Sequence, residues 1–246
     1  MPSVYPNLAA SARLPAAPGG SAWQLPVAAW AAWGFAAGGG DPDIGFIPPL
    51  LRRRLSPLAR AALAVAHACC GDLQGLPMVY ASRHGELART VEMLDGMAGG
   101  EAPSPTTFSL SVLNAAAGVF SIARGDMAPA TALAAGAETF GFGLLEAWLR
   151  FSADPARPLL YVYADAPAPP PLPARAGDPS GVVALALLLQ VGAPQTLCTA
   201  FHAAASNAAQ SPQAAACLAA LGGADCVAWQ DEHRTWTWHL QAGAPA

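Results

Sequence analysis

Ser104–Phe151 reads SPTTFSLSVLNAAAGVFSIARGDMAPATALAAGAETFGFGLLEAWLRF. Phe108–Arg124 (FSLSVLNAAAGVFSIAR) reads as one helix, apolar nearly all round and hence expected to be buried. Ala130–Gly136 (ATALAAG) reads as a small-residue strand, and Thr139–Phe151 as a further helix. Toward the N-terminus the same alternation continues. Val27–Gly34 (VAAWAAWG) is a short apolar run closed by Gly, and Leu76–Ser82 (LPMVYAS) is a second strand candidate. Leu55–Cys70 opens on Ser56-Pro57, a capping residue followed by a proline suited to the first helical turn. Gly85–Met97 carries Leu87, Val91 and Leu94 at helical spacing. Toward the C-terminus stand Leu159–Asp165 (LLYVYAD), a Pro-rich connector read as a surface loop, and the continuous apolar run Val182–Val191. A helix near Pro212–Leu221 and an alternating strand Thr235–Leu240 complete the chain. Strands alternating with helices predict an α/β protein on a mostly parallel five-stranded sheet flanked by helices, with a small C-terminal extension. The expected organisation is an irregular arm over 1–20, an α/β domain over 21–191, and a helix-and-strand extension over 192–246 packed on it.

Composition narrows the function classes. With 54% hydrophobic and 11% charged residues in 246, the chain is globular, not disordered. All 12 basic residues are Arg, so no Lys is available as a Schiff-base nucleophile, P-loop cation or pyridoxal anchor. The net charge of −4, with Arg52–Arg54 the only cluster, gives no nucleic-acid footprint. No apolar stretch approaches the ~20 residues of a spanning helix. Without a visible secretory signal, the expected location is the cytoplasm. The five Cys lack metal-ligand spacing and read as buried reduced thiols; no metal or cofactor is expected.

Polar chemistry is sparse. Arg83, His84 and Glu86 follow a strand candidate, where α/β proteins place ligands, and read either as an anion or acyl contact or as an ion pair serving a helix end. His84 with Ser111 or Ser82 suggests a nucleophile and base, although no G-x-S-x-G elbow surrounds either serine. Cys69 and Cys70 close a helix, where the dipole opposes thiolate formation. Gly34, Gly38, Gly39 and Gly40 lack dinucleotide spacing, and Asp41 and Asp43 would repel phosphate.

The stretch Ser104–Phe151 resembles the part of β-ketoacyl synthases in which a buried Asn-bearing helix precedes the strand that delivers the active-site cysteine. LRRRLSPLARAALAVAHAC is similar to the first helix of that family's N-terminal half, and LLYVYAD and VVALALLLQ to its last two strands. The nearest likeness is to short, N-terminal-domain-only proteins that resemble chain-length factors of aryl polyene and related pigment clusters. The resemblance implies half of a thiolase-like fold. Aligning Asn114 and Glu146 puts Ala137 where the nucleophilic Cys should stand, and the neighbouring Glu138 cannot form a thioester. The family's catalytic histidines lie in a second half that the 55 residues after Val191 are too few to supply.

A chain with neither group cannot run a decarboxylative condensation alone. The resemblance therefore implies a non-catalytic subunit that pairs with a full-length ketosynthase and shapes its acyl tunnel, meeting acyl carrier protein through the complex. It places Phe108, Leu110, Val112, Leu113 and Asn114 at the tunnel end or shared interface. Ala134 lies on the edge strand that would meet the partner, with Glu138 beside it. Two other readings stand at this point: an acyl-thioester hydrolase or transferase using His84 with a nearby Ser, and a homodimeric structural relic without a tunnel.

Overall fold

The computed structural model describes residues 20–36, 40–203 and 211–242. The expected arm over 1–20 lies outside them except for Gly20, as do Gly38 and Gly39. The strands are β1 (Ser21–Trp33), β2 (Met78–Ala81), β3 (Ala130–Leu133), β4 (Leu159–Asp165), β5 (Val183–Leu189), β6 (Gln195–Ala203), β7 (Cys226–Gln230) and β8 (Arg234–Ala242). The helices are α1 (Pro49–Arg52), α2 (Pro57–Cys70), α3 (Leu87–Ala98), α4 (Pro105–Ser109), α5 (Ala115–Arg124), α6 (Thr139–Ala153) and α7 (Gln213–Leu221).

The strands form one sheet of eight in the order β3-β2-β4-β5-β1-β6-β8-β7. This corrects the expected five-stranded, mostly parallel sheet. Among the described residues, only β2 with β3 and β2 with β4 are parallel pairs. The other five pairings are antiparallel. The physical reason is the connections: parallel neighbours require a crossover, usually helical, and no helix separates β4 from β5 or β5 from β6. The C-terminal segment adds three strands where one was expected, and β6 joins them to the rest by pairing with β1.

Helices cover both faces. Along β4 every residue is buried, and alternate side chains feed two cores. Leu160, Val162 and Ala164 meet α2 and α5, while Leu159, Tyr161 and Tyr163 meet the layer of α6 and α7. Ser56 caps α2 as expected, its hydroxyl accepting from Ala59 N at 3.0 Å, with Pro57 in the first turn.

The single helix expected over Phe108–Arg124 is instead two. α4 ends at Ser109, and α5 begins after Asn114, whose side chain makes no capping bond. Nor is the stretch buried throughout: Phe108 is 60% exposed, Val112 41% and Ile122 73%. The short run between the helices turns back on its own backbone, with its one hydroxyl, Ser111 Oγ, donating to Phe108 O at 2.9 Å.

Candidate functional site: the corner after the edge strand

β3 lies at one edge of the sheet, and Ala134 is the exposed residue just past its end. The chain then turns through one 3-10 turn, Gly136–Glu138, into α6. Gly136 sits at φ +60°, a left-handed conformation that glycine adopts without a Cβ clash. Thr139 locks the corner: its hydroxyl accepts from Ala135 N at 2.8 Å and donates to Gly136 O at 2.7 Å. Ala137 stands half-buried in this turn, at the N-terminus of a 15-residue helix. That is a place where the helix dipole would favour a thiolate, but a methyl group offers neither nucleophile nor proton.

Glu138 is buried beneath the corner and held from β8. Arg234 Nη1 donates to its Oε1 at 2.6 Å and Trp236 Nε1 to its Oε2 at 2.7 Å. The Arg234 guanidinium also lies over the rings of Phe142 and Phe201, 5.2 and 5.8 Å from their centroids. Both carboxylate oxygens are thus occupied by the C-terminal segment. Gln213, at the start of α7, adds a second tie by accepting from Gly141 N at 2.7 Å.

The remaining residues singled out in the sequence fall into separate places. Leu110 and Leu113 pack partly buried against the α2/α5 core, whereas Phe108 and Val112 face outward. Arg83 and His84 come together on Asp178 of the Pro-rich connector, at 3.0 and 2.8 Å. Burial pushes the Asp178 carboxyl up, but the His84 hydrogen bond, the Arg175 N–H and the nearby charges outweigh it and hold it below the usual carboxylate range. Glu86 does not join them; it accepts from Ser56 Oγ at 2.7 Å and lies 3.6 Å from Arg89. Burial pushes its carboxyl up. A cavity of about 10 Å³, room for one water, lies beside Ser56, Glu86, Arg89 and Leu110.

Neither serine pairs with His84 in any hydrogen bond among the described residues. Ser82 Oγ contacts buried Asp165 at 3.4 Å and accepts from Gly85 N, while Ser111 turns to its own backbone. The nucleophile–base geometry that a hydrolase requires is not assembled. Cys69, Cys70, Cys198 and Cys217 are buried thiols and Cys226 is exposed, contrary to the uniform burial expected. Burial pushes the Cys69 thiol up to about 12, which removes it as a nucleophile. No helix among the described residues is long and apolar enough to cross a membrane.

Sequence reasoning missed Asp178, Arg234, Trp236 and Gln213. Only the acid at Glu138 inside an apolar corner signalled that a distant cation must exist.

No curated protein matches the chain significantly. Among solved structures, it is similar to a chain of the ketosynthase (ApeO) in complex with its chain length factor (ApeC) from Xenorhabdus doucetiae, with 26% identity and a TM-score of 0.74. The likeness covers 88% of this chain and 99% of that one, so the matched chain is itself short, about this length. The ishigamide ketosynthase/chain length factor is similar at 18% identity and a TM-score of 0.50, over 71% of this chain and 65% of that one, which is a likeness of fold. The profile of the beta-ketoacyl synthase N-terminal domain matches residues 27–239. That match spans most of the chain, which therefore belongs to the beta-ketoacyl synthase, N-terminal domain family.

Proposed function

We propose that this chain is a non-catalytic, chain-length-factor-like subunit that pairs with a full-length ketosynthase and shapes the acyl tunnel in polyene or fatty-acid-like biosynthesis. The observation that carries the reading is the near-complete coverage of a short chain in a ketosynthase and chain length factor complex. The chemistry of the corner supports it. Ala137 cannot form a thioester, and Glu138 beside it is engaged on both oxygens. Among the described residues β3 ends the sheet, which supports pairing, because an edge strand presents backbone donors and acceptors to another chain. In this reading acyl carrier protein docks on the catalytic subunit, where the reacting thioester is.

Such a subunit acts by shape. Val112 and Phe108 wall the tunnel end, with Leu110, Leu113 and Asn114 behind them. Co-expression with a full-length ketosynthase from the same organism, followed by size exclusion, tests the pairing. Val112→Phe then adds bulk to a close-packed wall and should shorten the products, while Val112→Ala should lengthen them without changing the partner's initial condensation rate. Product masses decide. An acyl adduct on the isolated chain, at Ser111 or any Cys, would overturn the non-catalytic reading.

A further inference from the structure

We infer that the groove between the end of β1 and α2 is a binding site for a small organic ammonium ion, whose apolar body lies on alanine methyls and whose cation meets Asp41 and Asp43. The inference is independent of the corner, of β3 and of the pairing proposed above. The groove holds about 380 Å³, within the range of small-molecule sites and far larger than the one-water cavity beside Glu86.

Its origin is in the sequence. Ala31 and Ala32 at the end of β1 line it, together with Ala64 and Ala68, one turn apart on α2. Larger side chains at these places would fill the space, whereas methyl groups leave it open and apolar. Trp33 adds an indole whose Nε1–H donates to Gly40 O at 3.1 Å, which ties the strand end to the loop that carries the two acids. His67 also lines the groove, its ring stacked on Phe46 with the centroids 4.1 Å apart. These contacts hold the walls without a ligand.

Charge selects the ligand. Asp41 and Asp43 both line the groove and both are exposed, and among the described residues no arginine lines it. The nearby cations are engaged elsewhere: Arg52 Nη2 donates to Gly45 O at 3.0 Å and to Ile47 O at 2.8 Å, and Arg124 Nη1 donates to Gly71 O at 2.7 Å. Arg124 Nη1 also lies 3.2 Å from His67 Nδ1. Because a guanidinium only donates, that nitrogen accepts and the ring hydrogen stands on Nε2, so the imidazole brings no positive charge. The pair of acids that repels a phosphate attracts an ammonium ion, and an indole is the ring best suited to face the same cation.

The test titrates the full chain with 2-phenylethylamine in low-salt buffer by calorimetry, with 2-phenylethanol and 3-phenylpropionate as neutral and anionic controls. The amine should bind saturably at one site per chain, the alcohol about 5-fold more weakly, and the carboxylate not at all. Asp41→Asn with Asp43→Asn keeps an acceptor for Gly45 N, which Asp43 Oδ1 now binds at 2.9 Å. This variant should lose about 5-fold in amine affinity and most of its salt dependence. Ala68→Phe puts a ring into the groove from an exposed helix position, so the melting temperature should hold while amine binding is lost. The inference is overturned if the amine does not bind, if amine and alcohol bind alike, or if either variant binds the amine as the wild type does. A dimer in size exclusion that Ala68→Phe disperses would make the occupant a second copy and overturn it as well.

Discussion

Glu138 Oε2 accepts a 2.7 Å hydrogen bond from the indole N–H of Trp236, 98 residues further along the chain. With Arg234 on the other oxygen, this single acid fastens the corner before α6 to the last strand. Glu138→Ala leaves a buried donor and a guanidinium without their acceptor and should cost about 2–4 kcal/mol in urea unfolding. Glu138→Gln keeps a carbonyl acceptor for the indole and should lose less.

Gly141→Ala separates propensity from packing. In an exposed helix interior this change stabilises by roughly 1 kcal/mol. Here an added Cβ would stand 2.6 Å from the Trp236 ring, closer than real Cβ atoms approach. The sign should reverse, with about 1–3 kcal/mol lost in thermal or urea melts.

Asp178 tethers the Pro-rich connector through Arg83 and His84. Asp178→Ala removes the acceptor for both and for Arg175 N–H. Limited proteolysis should then cut between residues 166 and 182 faster than in wild type, while the corner at Ala137, which shares no partner with Asp178, keeps its protection.

Acidity acts on stability in two directions. Burial raises the Glu86 and Asp165 carboxyls, so the folded state holds their protons more tightly than the unfolded chain does. Stability from these two falls as pH rises from the unfolded carboxylate range through their folded values. Asp178 is held low, so its contribution is present above its unfolded pKa of about 4 and is lost as pH falls through the folded value. Melts across pH should peak in the mildly acidic range. Glu86→Gln should flatten the decline on the alkaline side and leave the acid side in place.

Ala137→Cys puts a thiol in the turn that leads into α6, where the helix dipole favours a thiolate. On the proposed non-catalytic reading, the variant should be alkylated there yet should not condense acyl and malonyl thioesters by itself, because a thiol alone supplies no general base. Mass spectrometry of labelled protein and of products checks both parts.

Local pattern made some of this structure legible and could not reach the rest. β4 falls on the residues read for it, because Leu159–Asp165 is a dense β-favouring run between turn signals. β5 likewise lies within its apolar run. β6 was missed because QTLCTAFHA mixes small and polar residues without a clean alternation, and its existence depends on pairing with β1 and β8. The break between α4 and α5 follows from serine hydroxyls binding the backbone, a competition that apolar count does not register. At the site, the corner between β3 and α6 was readable, because a small-residue strand and a helix rich in apolar residues flank it in the sequence. Its surroundings were not, since Arg234 and Trp236 arrive from β8 and Asp178 from the connector.

β1 changes partners at Val27: residues 21–27 pair with β6 and residues 27–33 with β5, the register shifting at Val27/Ala29. During synthesis, β1 therefore leaves the ribosome first of the described strands but finds its partners only after Leu189 and Ala203 have followed. Meanwhile α2, β2, β3, α6 and β4 can assemble from residues 57–165 around parallel pairs of their own. The apolar segment AWQLPVAAWAAW waits unpaired for most of translation, a stretch that invites chaperone binding and makes the closing of the sheet the late step of the chain's birth.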